Sequence, residues 1–144
     1  MAARRYVYAT AVRWEGELRA ACSAGGKPDV QVGSPPEFGG PDGTWSAEEL
    51  LVASVGSCLM ATFLYYARRS GVELIRYRSE AEGVVELEGR RLAFTSFTVR
   101  PSVTVAAGHL AAAQEAMERA RACLVSNSLT AAVRVESEVA EAAV

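Results

Sequence analysis

The sequence predicts an α+β fold, and three observations carry that reading. Segments that alternate apolar and polar residues, rich in Val, Tyr and Thr, recur at both ends and in the middle of the chain, as half-buried strands do. Two segments break this pattern with helical composition: one is apolar all round, the other Ala-rich with charges on one side. At 144 residues the chain holds one sizeable core but not two independent ones, so residues 1–144 are read as a single domain.

Arg5 to Trp14 alternates and reads as a strand. Gly16 punctuates it, and Glu17 to Ala24 can pair back as the second arm of a hairpin. Gly25-Gly26-Lys27-Pro28 is a turn, followed by a short third strand at Val30 to Val32. Ser34 to Thr44, with three prolines and three glycines, is a structured loop of the kind that borders a site. Ser46 followed three residues later by Glu49 is a capping box ahead of a long apolar run. The helix it starts is expected to run to about Ser70, with Arg68 and Arg69 in its last turn and Gly71 as its stop. Two long strands follow, Val72 to Glu88 and Arg91 to Val105, joined at Glu88-Gly89-Arg90. A second helix is expected from about His109 to Cys123, a short helical segment at Ser126 to Leu129, and a last strand at Ala131 to Val139. The predicted order is β-β-β-α-β-β-α-β.

Fifteen Lys and Arg against seventeen Asp and Glu leave a net charge of −2, without the basic footprint of a nucleic-acid binder. Half the residues are hydrophobic, which excludes a disordered chain. No signal peptide is read at the N-terminus, so a cytoplasmic, thiol-reducing setting is expected. Leu50 to Ala67 is uncharged over 18 residues, long enough to raise a membrane span. Ser54, Gly56, Ser57 and Thr62 dilute it and close flanking charges bound it, so a buried helix is preferred. A helix without a polar face is not covered by one sheet, so a second subunit is expected against it.

Three cysteines are too few for a disulfide scaffold, and a single histidine, His109, weakens any Ser-His-Asp or multi-histidine metal reading. Cys22, Cys58, Cys123 and His109 lack metal-ligand spacing, and no glycine-rich phosphate loop follows a strand; no metal or cofactor is expected. Cys58 lies in the middle of the apolar helix and Cys123 at the end of the second. The plain reading of both is that of small core residues. For chemistry Cys58 needs a cation, for which Arg13 and Arg19 on the early strands are candidates, and a carboxylate to orient that cation. Glu48, ten residues before Cys58, also serves simply as a favourable charge on a first helical turn.

The stretch SPPEFGGPDGTWSAEELLVASVGSCLMATF, with ACLVSNSL some 65 residues after its cysteine, resembles the OsmC/Ohr family of osmotically inducible and organic hydroperoxide resistance proteins. The resemblance implies a thiol-dependent peroxidase built as an intertwined homodimer, its central helices packed between sheets and its sites at the subunit interface. By position it implies Cys58 as the peroxidatic cysteine, Cys123 as the resolving one, and Glu48 and Arg19 as the catalytic glutamate and arginine, with Arg13 the alternative. It further implies organic hydroperoxides as substrates and an external, lipoyl-type dithiol as reductant. Phe38 and Phe63 are the apolar side chains that would favour an alkyl or aryl peroxide. Trp45-Ser46 stands where the family usually has Asn-Pro, and Leu124 where a proline commonly follows the second cysteine. A non-catalytic stress or small-ligand-binding dimer of the same fold is the alternative.

Overall fold

The computed structural model describes residues 2–143. It is a mixed α+β structure with two sheets and three α-helices among the described residues. The chain divides into two compact units, Met1–Leu50 and Leu51–Val144.

The first unit is built on an antiparallel sheet in the order β1 (Ala11–Gly16), β2 (Arg19–Ser23), β3 (Val30–Gly33). The strand expected over Arg5 to Trp14 is corrected here: it begins only at Ala11. A strand needs a neighbour, and β2 reaches no further along β1 than the Ala11–Ser23 pair before the Gly25-Gly26 turn takes the chain away. At the β1–β2 turn Glu17 adopts a φ of +50°, uncommon for a residue with a Cβ. The loop after β3 contains one 3₁₀ turn, Pro36–Phe38, and folds back hard on itself. A Cβ on Gly40 would lie 1.6 Å from the Ser34 carbonyl oxygen, so only glycine fits. The loop rejoins the sheet where the Gly33 amide donates to the Trp45 carbonyl (2.8 Å) and the Trp45 amide to the Gln31 carbonyl (3.1 Å).

Helix α1 (Ala47–Arg69) starts where the capping box predicts. The Glu49 amide donates to Ser46 Oγ at 3.1 Å, and the Ser46 amide to Glu49 Oε1 at 3.1 Å. Its end also matches expectation. Gly71 takes a φ of +69°, with Val72 N–H donating to the Ala67 carbonyl and Gly71 N–H to that of Arg68.

In the second unit β4 (Leu74–Glu88) and β5 (Arg91–Val105) form a long antiparallel hairpin. The single last strand expected over Ala131 to Val139 is two strands, β6 (Ala132–Val135) and β7 (Glu138–Glu141), both parallel to β5. Ser96 faces Ala132 and Ser102 faces Glu138, so the register is the same on both sides of the break. The interruption lies opposite Arg100-Pro101, and Pro101 has no N–H to donate to the ladder there. Arg100 spans the neighbouring strands, 3.3 Å from Glu82 and 3.2 Å from Glu136.

The second helix is also corrected. α2 covers Leu110–Ala120 and stops short of Cys123; the short helical segment expected at Ser126 to Leu129 is α3, which starts earlier and covers Leu124–Ser128. Val55, Leu59, Phe63 and Ala67 form one stripe of α1. They pack with alternating Phe97, Val99, Val103 and Val105 of β5 and with Ala113, Ala116, Met117 and Ala120 of α2. A Cβ on Gly83 would come within 2.7 Å of the Phe94 ring and 2.9 Å of Val52, so a glycine leaves room for α1 to pack on the sheet there. α1 is long and apolar enough to cross a membrane by length and composition alone, but this stripe is taken up by the core. Its opposite stripe, with Ala53, Ser57, Met60 and Tyr65, is exposed.

Candidate active site

Cys58 sits on the flank of α1, between the buried stripe and the exposed one, and is half-buried. Its sulfur accepts a hydrogen bond from the Val125 amide at 3.4 Å. That amide belongs to the first turn of α3, where backbone N–H groups have no partner within the helix. Cys123 is the N-cap of that helix, with extended backbone (φ −75°, ψ 159°), and is buried. Within the second unit, the residue two beyond Cys123 thus touches the sulfur of Cys58. All three cysteines are free thiols.

The corrected end of α2 explains this placement. A continuous helix through Cys123 would spend the Val125 amide on an i−4 carbonyl. The break at Arg121-Ala122 turns the chain, and α3 begins again with its amides unclaimed. Leu124 is the first residue of α3, the N1 position that proline favours, and α3 forms with leucine there. The Ser126 hydroxyl lies 3.1 Å from Cys123 Sγ. Neither the Val125 amide nor Ser126 was assigned a role from sequence. The signal was present in Cys123-x-x-Ser126, the spacing that joins an N-cap to the third helical residue.

Arg19 and Glu48 both lie in the first unit. Arg19 begins β2 and lines a cleft of about 270 Å³ with Glu17, Leu18, Gly39, Gly40 and Pro41. Gly39, Gly40 and Pro41 belong to the Ser34 to Thr44 loop, which thus lines this cleft. Glu48 is in the first turn of α1; its Oε2 is buried without a hydrogen-bond partner among the described residues. No ion pair joins it to Arg19 among those residues. Arg13 is held on the exposed sheet face by Glu15 (3.4 Å) and Asp29 (3.6 Å). Phe63, expected near the thiol, is instead sealed in the core with its ring 5.5 Å from that of Tyr77, so it lines no open pocket. Phe38 is exposed in the first unit. Tyr77 is the group most perturbed by its surroundings: burial pushes its pKa up to about 12, against a small opposing effect of the Ser79 side chain.

No curated protein matches the chain by sequence. Solved structures do. An OsmC-like protein of unknown function from Vibrio cholerae superposes with a TM-score of 0.84 at 18% identity, over 93% of this chain and 100% of that one. An organic hydroperoxide resistance protein OsmC from Legionella pneumophila matches at a TM-score of 0.67 and 19% identity, over 94% of this chain and 99% of its own. An organic hydroperoxide resistance protein from Elizabethkingia anophelis gives 0.69 and 17%, over 96% and 100%. At these identities the likeness establishes the fold. A family model described as OsmC-like protein matches residues 40–138, from the loop before α1 through β6 to the first residue of β7. That stretch takes in the capping box, both thiols and the break between α2 and α3, and on it the chain belongs to the OsmC-like protein family.

Proposed function

We propose that this protein is a thiol-dependent peroxidase that reduces organic hydroperoxides to alcohols. The observation that carries the reading is the 3.4 Å hydrogen bond from Val125 to Cys58 Sγ, which ties the neighbourhood of the second cysteine to the first. The substrate class comes from family relatives described as organic hydroperoxide resistance proteins.

In this reaction the Cys58 thiolate attacks the distal peroxide oxygen, the O–O bond breaks, an alcohol leaves, and Cys58 becomes a sulfenic acid. Cys123 then displaces hydroxide from that sulfur and forms the disulfide, releasing water. An external dithiol restores both thiols by exchange. A free cysteine at pH 7 is only a few per cent thiolate, so complete ionisation accelerates attack by about thirtyfold at most. Positioning the peroxide and stabilising charge on the leaving oxygen supply the larger share.

Arg19 is the group for that second task, with Glu48 orienting its guanidinium. The buried, unpartnered Glu48 Oε2 supports this, because a buried carboxylate oxygen without a donor is costly and a guanidinium satisfies it. On this reading the Glu48 serving Cys58 comes from the second chain of an intertwined homodimer, as the family resemblance implies. The exposed stripe of α1 and the exposed Tyr8 and Trp14 support such a dimer. The reductant is taken as a lipoyl-type dithiol and the setting as the cytoplasm, where thiols stay reduced.

The test is intact mass and free-thiol count after about one equivalent of cumene hydroperoxide is added to the reduced protein. A loss of two hydrogens is expected, absent in both Cys58→Ser and Cys123→Ser. No change over minutes would overturn the reading and leave a non-catalytic dimer of the same fold.

A further inference from the structure

The pairing of Cys123 with Ser126 is not needed to hold α3 together. An N-cap side chain ordinarily accepts a hydrogen bond from the amide of the second or third helical residue, and Cys123 makes no such bond. Its sulfur instead lies 3.1 Å from the hydroxyl of Ser126, three residues on. Cys123 is only 1% exposed, so water does not reach its thiol directly. Ser126 is only half-buried. The amide between them in sequence, that of Val125, is directed at Cys58. One turn of chain therefore carries the attacking sulfur, a hydroxyl on that sulfur, and the donor to the sulfur under attack.

Disulfide formation requires that the Cys123 S–H bond break as its sulfur bonds to Cys58. The sulfenic S–O bond breaks in the same step, and the departing hydroxide needs a proton to leave as water. We propose that Ser126 is the positioning residue for this resolving step. Its hydroxyl oxygen accepts the thiol's hydrogen bond, fixing the Cys123 sulfur. As the thiol proton passes to the serine oxygen, the serine's own proton passes on toward the departing hydroxide. Atoms balance: one sulfenic acid and one thiol give one disulfide and one water, and serine is regenerated. A hydroxyl serves as such a relay because it donates and accepts at once. This inference rests on the peroxidase reading and concerns its second half only.

The experiment follows the reduced full-length protein after one equivalent of cumene hydroperoxide, by rapid quenching with a thiol-alkylating reagent and intact mass. Wild type is expected to pass to the disulfide without accumulating sulfenic acid. In Ser126→Ala, Cys58 should oxidise at the wild-type rate while the disulfide forms about tenfold more slowly or worse, the scale of one lost hydrogen bond to a reacting group. Sulfenic acid then accumulates, and excess peroxide drives it to sulfinic acid. Ser126→Thr, which keeps the hydroxyl, should restore disulfide formation to near the wild-type rate. A wild-type rate of disulfide formation in Ser126→Ala overturns the proposal, as does a slow step that threonine fails to rescue. If Cys58 of the wild type does not oxidise at all, the peroxidase reading falls first and takes this one with it.

Discussion

In Met1–Leu50 the large apolar side chains stand in water: Tyr6 is 71% exposed, Tyr8 86%, Val12 67% and Trp14 74%. Leu51–Val144 also exposes large apolar side chains, among them Tyr65, Leu87 and Leu124, but it closes a core, with Phe63, Phe97, Val99 and Met117 each at 2% or less. The difference is not one of composition, since both units carry strands rich in Val and aromatic residues. It lies in what each sheet has to pack against. The β4–β5–β6 sheet has α1 and α2 on one face, and alternate residues of β5 close on them. The β1–β2–β3 sheet is three short strands, and the hydrophobic residue it buries is Ala21. Three strands with an apolar face become stable by having that face covered. On the proposed reading a second copy covers it, and the chemistry is split the same way: charge in the first unit, sulfur in the second.

The sharpest way to break this contrast is to truncate one aromatic in each unit. Phe63→Ala should destabilise the fold by about 3–5 kcal/mol in urea unfolding, because it opens a cavity in a closed core. Trp14→Ala, measured where the wild type is monomeric, should change stability by less than about 0.5 kcal/mol. By sedimentation it should instead weaken self-association at least about tenfold. A wild type that stays monomeric at all concentrations would refute the assignment of the exposed face to a second copy.

Next in size is Arg19→Ala, expected to slow Cys58 oxidation about a hundredfold with the circular dichroism spectrum unchanged. Arg13→Ala should stay within about twofold, since its partners are exposed surface carboxylates. The opposite ranking would move the catalytic cation to Arg13. Within the second unit, Gly83→Ala should cost about 1–3 kcal/mol, because its new methyl meets the Phe94 ring and Val52 at under 3 Å. A neutral result would show that α1 can move off the sheet.

The smallest effect concerns pH. The Tyr77 hydroxyl is buried without an accepted hydrogen bond among the described residues, and its pKa is raised from 10.0 to about 12. A raised pKa means the folded state holds the proton more tightly. The stability this provides is complete below pH 10 and is lost as pH rises through 12. Tyr77→Phe should be neutral or slightly stabilising at pH 7, since no bond is lost. It should also remove about 1–2 kcal/mol of the alkaline loss, the two-unit shift being discounted because the side chain is only half-buried. A clear destabilisation at pH 7 would mean that the hydroxyl has a partner.

Local signals were legible and non-local ones were not. Ser46 and Glu49 announce the start of α1, and Gly71 its end, because caps involve residues a few positions apart. The β4–β5 hairpin reads directly from its turn. The start of β1 did not, because the length of a paired strand is set by its neighbour's. The split between β6 and β7 depends on Pro101, more than thirty residues earlier in sequence, which matters only once the parallel register is known. The same holds for the site. The two thiols and the glutamate were legible as a motif, whereas the role of Cys123 as an N-cap became visible only when α2 was seen to stop at Ala120.

The strand β5 has a consequence for how the chain is made. It is paired on one side by β4, which precedes it, and on the other by β6 and β7, which begin at Ala132 and Glu138. During synthesis β4 and β5 can zip as soon as they leave the ribosome, at about 5–20 residues per second. The second edge of β5 then stays open until α2, α3 and the two parallel strands have followed. A nascent chain stalled before Ala132 therefore presents a long unpaired edge beside an unfinished core, a template for joining another nascent chain.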